Sequence, residues 1–310
     1  MSSDAPREQG GEPVAPRPRH PLEAAWAAAD TAARGSRVEI RAIDDIEVLH
    51  DVQRLYERVW RTGPTGTPVT ADMLRAMAKA GSYVSGAFDG DALVGACFGF
   101  FGPPTRRALH SHIAGVDDRM RGRSVGFAMK LHQRAWAMQR GAEDVTWTFD
   151  PLIRRNAYFN LRKLAATAEE YLPSFYGPMD DDINRSDDTD RVLIRWRLAS
   201  LDVVSACGGP GAPRHDAARS AAEPAARVSG ARPALEPSLS GRPIAHPLRG
   251  GTVLVGVPAD IEAMRLEDPR CAGDWRIALR DTLGSLMADG ARVRGFDRAG
   301  WYIVDRQDDR

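Results

Sequence analysis

Arg121-Gly122-Arg123-Ser124-Val125-Gly126 decides the reading of this 310-residue chain. The stretch follows residues 108–116, which read as a strand, and opens residues 124–139, which carry a helical period. A small-residue loop at a strand-to-helix junction turns backbone N–H groups toward one point. The helix dipole adds partial positive charge at the same place. The junction is a candidate phosphate site, with Arg121 and Arg123 as reinforcing cations. An ordinary surface turn capped by Ser124 fits the same residues.

Working outward, residues 21–35 form an Ala-rich helix and residues 38–42 a strand. Asp44 caps a helix whose apolar positions Ile46, Leu49, Val52, Leu55 and Val59 share one face. A Gly/Pro break at 63–68 precedes a second helix, 70–80. Residues 83–88 and 92–101 are strands joined by the turn Asp89-Gly90-Asp91. After the Arg-Gly loop and its helix come a strand at 144–149, a helix at 152–164 and a strand at 191–196. The order β-α-α-β-β-β-α-β-α-β predicts a mixed α/β (α+β) sheet whose fourth and fifth strands are joined through one helix.

Residues 1–20 are polar and proline-rich and read as a disordered tail; 21–200 form the main domain. Residues 201–245 hold a Pro/Ala/Gly/Ser/Arg tract and read as a flexible linker. Residues 246–310 regain order as a small α/β module: a strand at 253–257, a helix at 274–288 and a hairpin from 292–296 and 301–304. About 60 residues make a thin core, so this module is expected to dock on the first domain.

Forty-two basic and 42 acidic residues cancel, which gives no global electrostatic case for a nucleic-acid or membrane partner. No apolar run approaches the ~18 residues that a membrane span needs. Cys97, Cys207 and Cys271 are far apart and lack metal-ligand spacing. They read as reduced thiols in a cytoplasmic protein, with no metal site expected.

The element order and the Arg-Gly loop resemble the GNAT superfamily of acyl-CoA-dependent N-acyltransferases. Their fingerprint is Arg/Gln-x-x-Gly-x-Gly/Ala; here Ser124 stands where glycine is usual. The resemblance covers residues 37–198. Ser111-His112, Trp147 to Leu152, Asn156 to Asn160 and Tyr176-Gly177 are similar to a bacterial subgroup of these enzymes with a C-terminal extension. The resemblance implies a GNAT-like splayed sheet and transfer of an acyl group, most simply acetyl, from acetyl-CoA or another acyl-CoA to a small-molecule amine. N-succinylation of amino acids and a non-catalytic acyl-CoA-binding regulator are the alternatives, and a homodimer is left open.

It further implies that the coenzyme's pyrophosphate lies on the N–H groups of Arg121, Gly122, Arg123, Ser124, Val125 and Gly126. Its pantetheine arm would lie along Ala114, Gly115 and Val116. Asn156 and Asn160, four apart on one helix, either touch the coenzyme or face solvent. His110 and His112 share a strand face, and imidazole titrates near neutrality, so His112 is the candidate base. Asp150 is a candidate for orienting a histidine or binding an ammonium; capping the helix at Leu152 suits it equally. The family's leaving-group tyrosine precedes a Gly-Phe pair. Aligning Ala165-Ala166 with that pair puts Leu161 at the tyrosine position, so Tyr158, one turn earlier, and Tyr176 are the candidate acids. Arg106 and Arg107 are candidate clamps for a carboxylate.

Overall fold

The computed structural model describes residues 21–62, 66–177, 187–208 and 230–307. The expected tail, residues 209–229 of the expected linker, and the sequence's acidic Asp180-Asp181-Asp182 lie outside the described residues. In chain order the first part contains α1 (Pro21–Ser36), β1 (Glu39–Ala42), α2 (Ile46–Trp60), α3 (Ala71–Lys79), β2 (Tyr83–Asp89), β3 (Ala92–Phe101), β4 (Ala108–Val116), α4 (Val125–Gln139) and β5 (Asp144–Phe149). Then follow α5, which is an α-turn Arg154–Ala157 widening into a π-turn Tyr158–Lys163, and β6 (Thr167–Leu172), β7 (Arg191–Arg197) and α6 (Leu201–Cys207). The expected cap at Asp44 moves one residue. Asp45 is the N-cap of α2, its Oδ1 accepting from Glu47 N at 2.8 Å.

The seven strands lie in the order β1-β2-β3-β4-β5-β7-β6, and only β4 and β5 run parallel. β3 pairs with β4 from Gly95↔Val116 to Phe101↔Leu109, but β5 pairs only with Ala108, Leu109 and His110. Beyond the pair His110↔Thr146 the two strands part. The edge of β4 from Ser111 to Val116 has no strand partner on that side among the described residues. This is the splayed mixed sheet expected from the sequence. β6 was not expected: a register shift between Ala168 and Glu170 breaks the alternation that betrays a strand.

Residues 201–245 are not one structureless linker. They contain α6, β8 (Arg232–Pro237) and β9 (Pro243–Ala245). Prolines at strand ends hid β8 and β9 from the sequence pattern. With β10 (Thr252–Gly256), β11 (Arg292–Phe296) and β12 (Trp301–Asp305) they form a second sheet, β11-β12-β10-β8-β9. Two helices complete this module. α7 is Ile261–Glu267; α8 starts as Pro269–Leu279, passes through a π-turn Arg280–Gly284 and ends as Ser285–Ala288.

One face of the first sheet packs on α2 and α3 through Leu49, Leu55, Leu74, Phe88 and Phe98. The other face packs on α1 and α4, and its core runs without a break through Trp147 and Tyr171 to Trp275, Leu279 and Leu283 of the second module. The thin C-terminal core is thus completed by the first domain, as expected.

His132 sits in this core with its ring 5.2 Å from Trp26 and its Nδ1 2.9 Å from the Tyr83 hydroxyl. Burial, only partly opposed by Asp30, pushes its pKa down to about 4. His110 is pushed down to about 4 by burial, with His112 and Lys130 adding to the effect. Between pH ~6.5 and ~4 the unfolded chain binds protons that these folded imidazoles refuse. Stability is therefore expected to fall as pH drops through that window, by about 3 kcal/mol for each histidine. Urea midpoints at pH 7, 5 and 4 check this, and His132→Leu should flatten the slope. A midpoint unchanged between pH 7 and 4 contradicts it.

Candidate functional site

The parting of β4 and β5 is built at Ser111 and His112. Phe98 pairs with Ile113 and Gly99 with Ser111, so His112 is the extra residue of a β-bulge. A bulge re-aims a side chain and bends its strand. The rings of His110 and His112 lie 6.0 Å apart on the α2/α3 side, beside Phe100 at 5.3 and 6.0 Å. His110 Nδ1 reaches the Thr146 hydroxyl at 3.5 Å. Partial burial lowers the pKa of His112, which keeps its imidazole neutral at pH 7 and able to take a proton.

Beneath the same point a buried polar chain closes the fork. The Lys130 ammonium donates to Ser111 Oγ at 2.8 Å and Gln133 Oε1 at 3.1 Å, and it lies 3.9 Å from the Trp147 ring centre. Gln133 Nε2 donates to Cys97 Sγ at 3.3 Å, and Trp147 Nε1 donates to Asn160 Oδ1 at 3.3 Å. Burial pushes the Lys130 pKa down to about 8, with Cys97 opposing. The chain joins β3, α4, β4, β5 and α5, and it gives both strands fixed partners where their own ladder has ended.

At the open end, β4 leads into the Arg-Gly loop. A short 3₁₀ turn, Asp118–Met120, uses two of the expected donors: Arg121 N–H bonds Asp118 O at 3.0 Å and Arg123 N–H bonds Met120 O at 3.1 Å. Gly122, Ser124, Val125 and Gly126 keep N–H groups with no acceptor among the described residues. Ser124 is left-handed (φ 60°, ψ 23°) and Val125 begins the helix. A left-handed residue next to a right-handed one turns successive N–H groups into an anion-binding concavity. A Cβ on Gly126 would meet only Val116 Cγ2, at 3.9 Å, so packing does not require glycine there and the groove stays open.

The arginine side chains do not reinforce the loop as expected. Arg123 gives its guanidinium to Asp89 at 2.6 Å and to the carbonyls of Ser36 and Arg37, which ties the loop to the end of α1. Arg121 pairs with Asp118 at 2.9 Å on the surface. The cations at the loop come instead from α5. Ser124, Phe127, Tyr158, Arg162, Lys163 and Ala206 line a groove of about 380 Å³. Neither Arg162 nor Lys163 has a carboxylate partner among the described residues. The sequence signal was present, two adjacent cations one turn past Tyr158, but the extra residue of the π-turn sets which side chains face the groove.

The same turn sends Leu161 into the core, where it is 4% exposed, and puts Tyr158 in the groove wall, its hydroxyl engaged elsewhere. That hydroxyl accepts from Arg298 Nε at 3.0 Å. Tyr176, the other expected acid, shares a 3.1 Å hydrogen bond with Thr148 on an exposed surface. Asn156 is half-buried at the start of α5, and Asn160 is held inward by Trp147. Arg107 is spent on Glu143 and the Gly141 carbonyl. Ala165 has φ +52°, a backbone that favours glycine, at the position aligned with the family's Gly-Phe pair.

Asp150 is the clearest correction. Its Oδ1 accepts from Leu152 N at 3.0 Å and Arg276 Nη1 at 2.9 Å, and its Oδ2 from Arg265 Nη2 at 2.6 Å and Arg276 Nη2 at 2.9 Å. Burial alone would raise its pKa, but the Arg276 and Arg265 guanidiniums outweigh that and hold it far below the usual carboxylate range. Both oxygens are committed, so Asp150 neither orients a histidine nor holds an ammonium. It joins the first sheet to α7 and α8.

No protein-family model matches the chain, and no curated protein matches it. Solved structures do. An N-acetyltransferase from Staphylococcus aureus is 15% identical, covering 52% of this chain and 98% of its own, at TM-score 0.41. A ribosomal-protein-alanine N-acetyltransferase from Brucella melitensis is 14% identical, with 51% and 98% covered, at TM-score 0.43. A GNAT phosphinothricin acetyltransferase from Sinorhizobium meliloti, in complex with AcCoA, is 15% identical, with 51% and 87% covered, at TM-score 0.42. The chain is similar to these proteins over about half its length. At such identities and scores the fold assignment rests on the strand order and register described above.

Proposed function

We propose that this protein is an acyl-CoA-dependent N-acyltransferase acting on a small-molecule amine. The observation that carries this reading is the unpaired β4 edge, Ser111 to Val116, running into a loop with four unengaged N–H groups. A ligand with an amide-bearing arm and a phosphate head satisfies both at once. Ala114, Gly115 and Val116 would hold the arm; Gly122, Ser124, Val125 and Gly126 would hold a phosphate, with Arg162 and Lys163 neutralising charge. The coenzyme supplies a thioester, an acyl group already activated toward an amine.

This chain's residues then have three tasks. The first is to present the acyl carbonyl at the fork, with an N–H of the bulged β4 strand as the polarising donor. The second falls to His112, whose neutral imidazole removes the proton from the acceptor's ammonium. The third is proton delivery to the departing sulfur, which falls to water, because Arg298 engages the Tyr158 hydroxyl and Tyr158 lines the groove with Ser124 at the phosphate end, an arm's length from the sulfur. A non-catalytic binder drew support only from the missing tyrosine at Leu161, and water can protonate the sulfur in its place.

Full-length protein given acetyl-CoA or succinyl-CoA and a panel of amines is expected to release thiol with at least one pairing. Coenzyme binding without thiol release under every pairing contradicts catalysis. Gly126→Val is expected to weaken coenzyme binding about tenfold or more while leaving the urea midpoint near that of the wild type, because its bulk enters the groove rather than the core. Unchanged coenzyme affinity removes the loop from the site.

A further inference from the structure

The wall of the groove is held from the C-terminal module. Tyr302 donates its hydroxyl to Pro151 O at 2.7 Å, just before α5 begins. Arg154 Nη2 donates to Val257 O at 3.1 Å, and Arg155 pairs with Glu262. The turn between β11 and β12 is seated on the same helix. Its Gly300 has φ +97°, and a Cβ there would fall 2.5 Å from the Arg154 guanidinium. The turn is also fixed internally, since Asp297 accepts from Trp301 N at 3.0 Å and Asp297 O accepts from Gly300 N at 3.3 Å. It projects Arg298.

Arg298 uses Nε on the Tyr158 hydroxyl, and its guanidinium carbon lies 5.6 Å from the ring centre. Its Nη groups have no acceptor among the described residues, and no carboxylate pairs with it there. Many other arginines on this surface are paired: Arg107 with Glu143, Arg155 with Glu262, Arg242 with Asp274, Arg280 with Asp188. Arg162 and Lys163 line the groove with Ser124 of the phosphate loop, and Arg298 stands against Tyr158 of its wall, so three cations without carboxylate partners among the described residues lie on or next to one groove. That much uncompensated positive charge suits a ligand with several negative charges. A guanidinium fixed through Nε still offers its two Nη groups to phosphate oxygens.

We infer that Arg298, supplied by the C-terminal hairpin, is a phosphate-binding residue of the coenzyme groove, so that the extension completes the ligand site rather than lying beside it. The inference rests on the acyl-CoA reading above and adds a residue from outside the acyltransferase-like domain. Tyr158 then serves as the post that orients Arg298 as well as a wall of the groove.

Calorimetric titration of coenzyme A into wild type, Arg298→Met and Arg298→Lys tests it, beside S-acetylpantetheine, which lacks the phosphates, followed by NMR at millimolar ligand. Arg298→Met is expected to weaken coenzyme A about tenfold, to leave S-acetylpantetheine unaffected, and to keep the urea midpoint; Arg298→Lys recovers part of the loss. Unchanged coenzyme A affinity in Arg298→Met overturns the inference alone. So does an equal loss for both ligands, which makes Arg298 a packing residue of the wall. Wild type that fails to bind coenzyme A contradicts the acyltransferase reading and this inference with it.

Discussion

Asp150→Ala is expected to destabilise the protein by about 3–5 kcal/mol, the cost of leaving buried cations without their partner. Arg265 and Arg276 are 2% and 1% exposed, and both lose a carboxylate that they share, keeping Asp187 in common. The Leu152 N–H also loses its acceptor. The loss should appear in urea unfolding as a lower midpoint, and proteolysis should reach α7 and α8 sooner than in wild type. Asp150→Asn should fall between, because an amide still accepts from Leu152 N but carries no charge. The sign of the pH effect follows from the depressed pKa. The stabilisation is present above the unfolded carboxylate value of ~3.9 and is lost as pH falls through the lower folded value. An Asp150→Ala protein of wild-type stability with abolished turnover would return Asp150 to catalysis and contradict the account.

His112→Ala is expected to reduce turnover about a hundredfold or more while changing coenzyme affinity by less than about twofold, since a base acts in the transition state. The readout is thiol release with an amine identified from the panel. In wild type the acid limb of kcat/KM should lie below the ~6.5 of a free imidazole, because partial burial lowers the His112 pKa. In His112→Ala that limb should vanish or move. His110→Ala is the comparison: its ring packs on Phe100 and its pKa lies near 4, so its loss should reach stability before turnover. Equal turnover in wild type and His112→Ala across the pH range removes His112 from the mechanism.

The local grammar of the chain reached far into the fold. β4, β5 and β7, the Gly90-containing hairpin and α1 to α4 follow from alternation, helical period, glycine and caps read within a few residues. What escaped depended on pairing at a distance or on a single extra residue. β6 carries a register shift, and β8 and β9 are short, proline-flanked and completed only by β10. The site followed the same division. The loop, the bulged strand and the two histidines were legible because their chemistry is local. The π-turn was not, and it determines that Tyr158, Arg162 and Lys163 face the groove while Leu161 is buried. The partners of Asp150 lie 115 and 126 residues away, so no reading of its neighbours distinguished a helix cap from the anchor of a second module.

The central claim is that one ligand lies along the β4 edge and ends on the loop before α4. Amide hydrogen exchange of the full-length protein, with and without saturating acetyl-CoA, tests it most directly. The account predicts slowed exchange at Gly122, Ser124, Val125 and Gly126 and along Ser111 to Val116, with little change in β8 to β10. Protection confined to other segments, or none at saturating ligand, would contradict it.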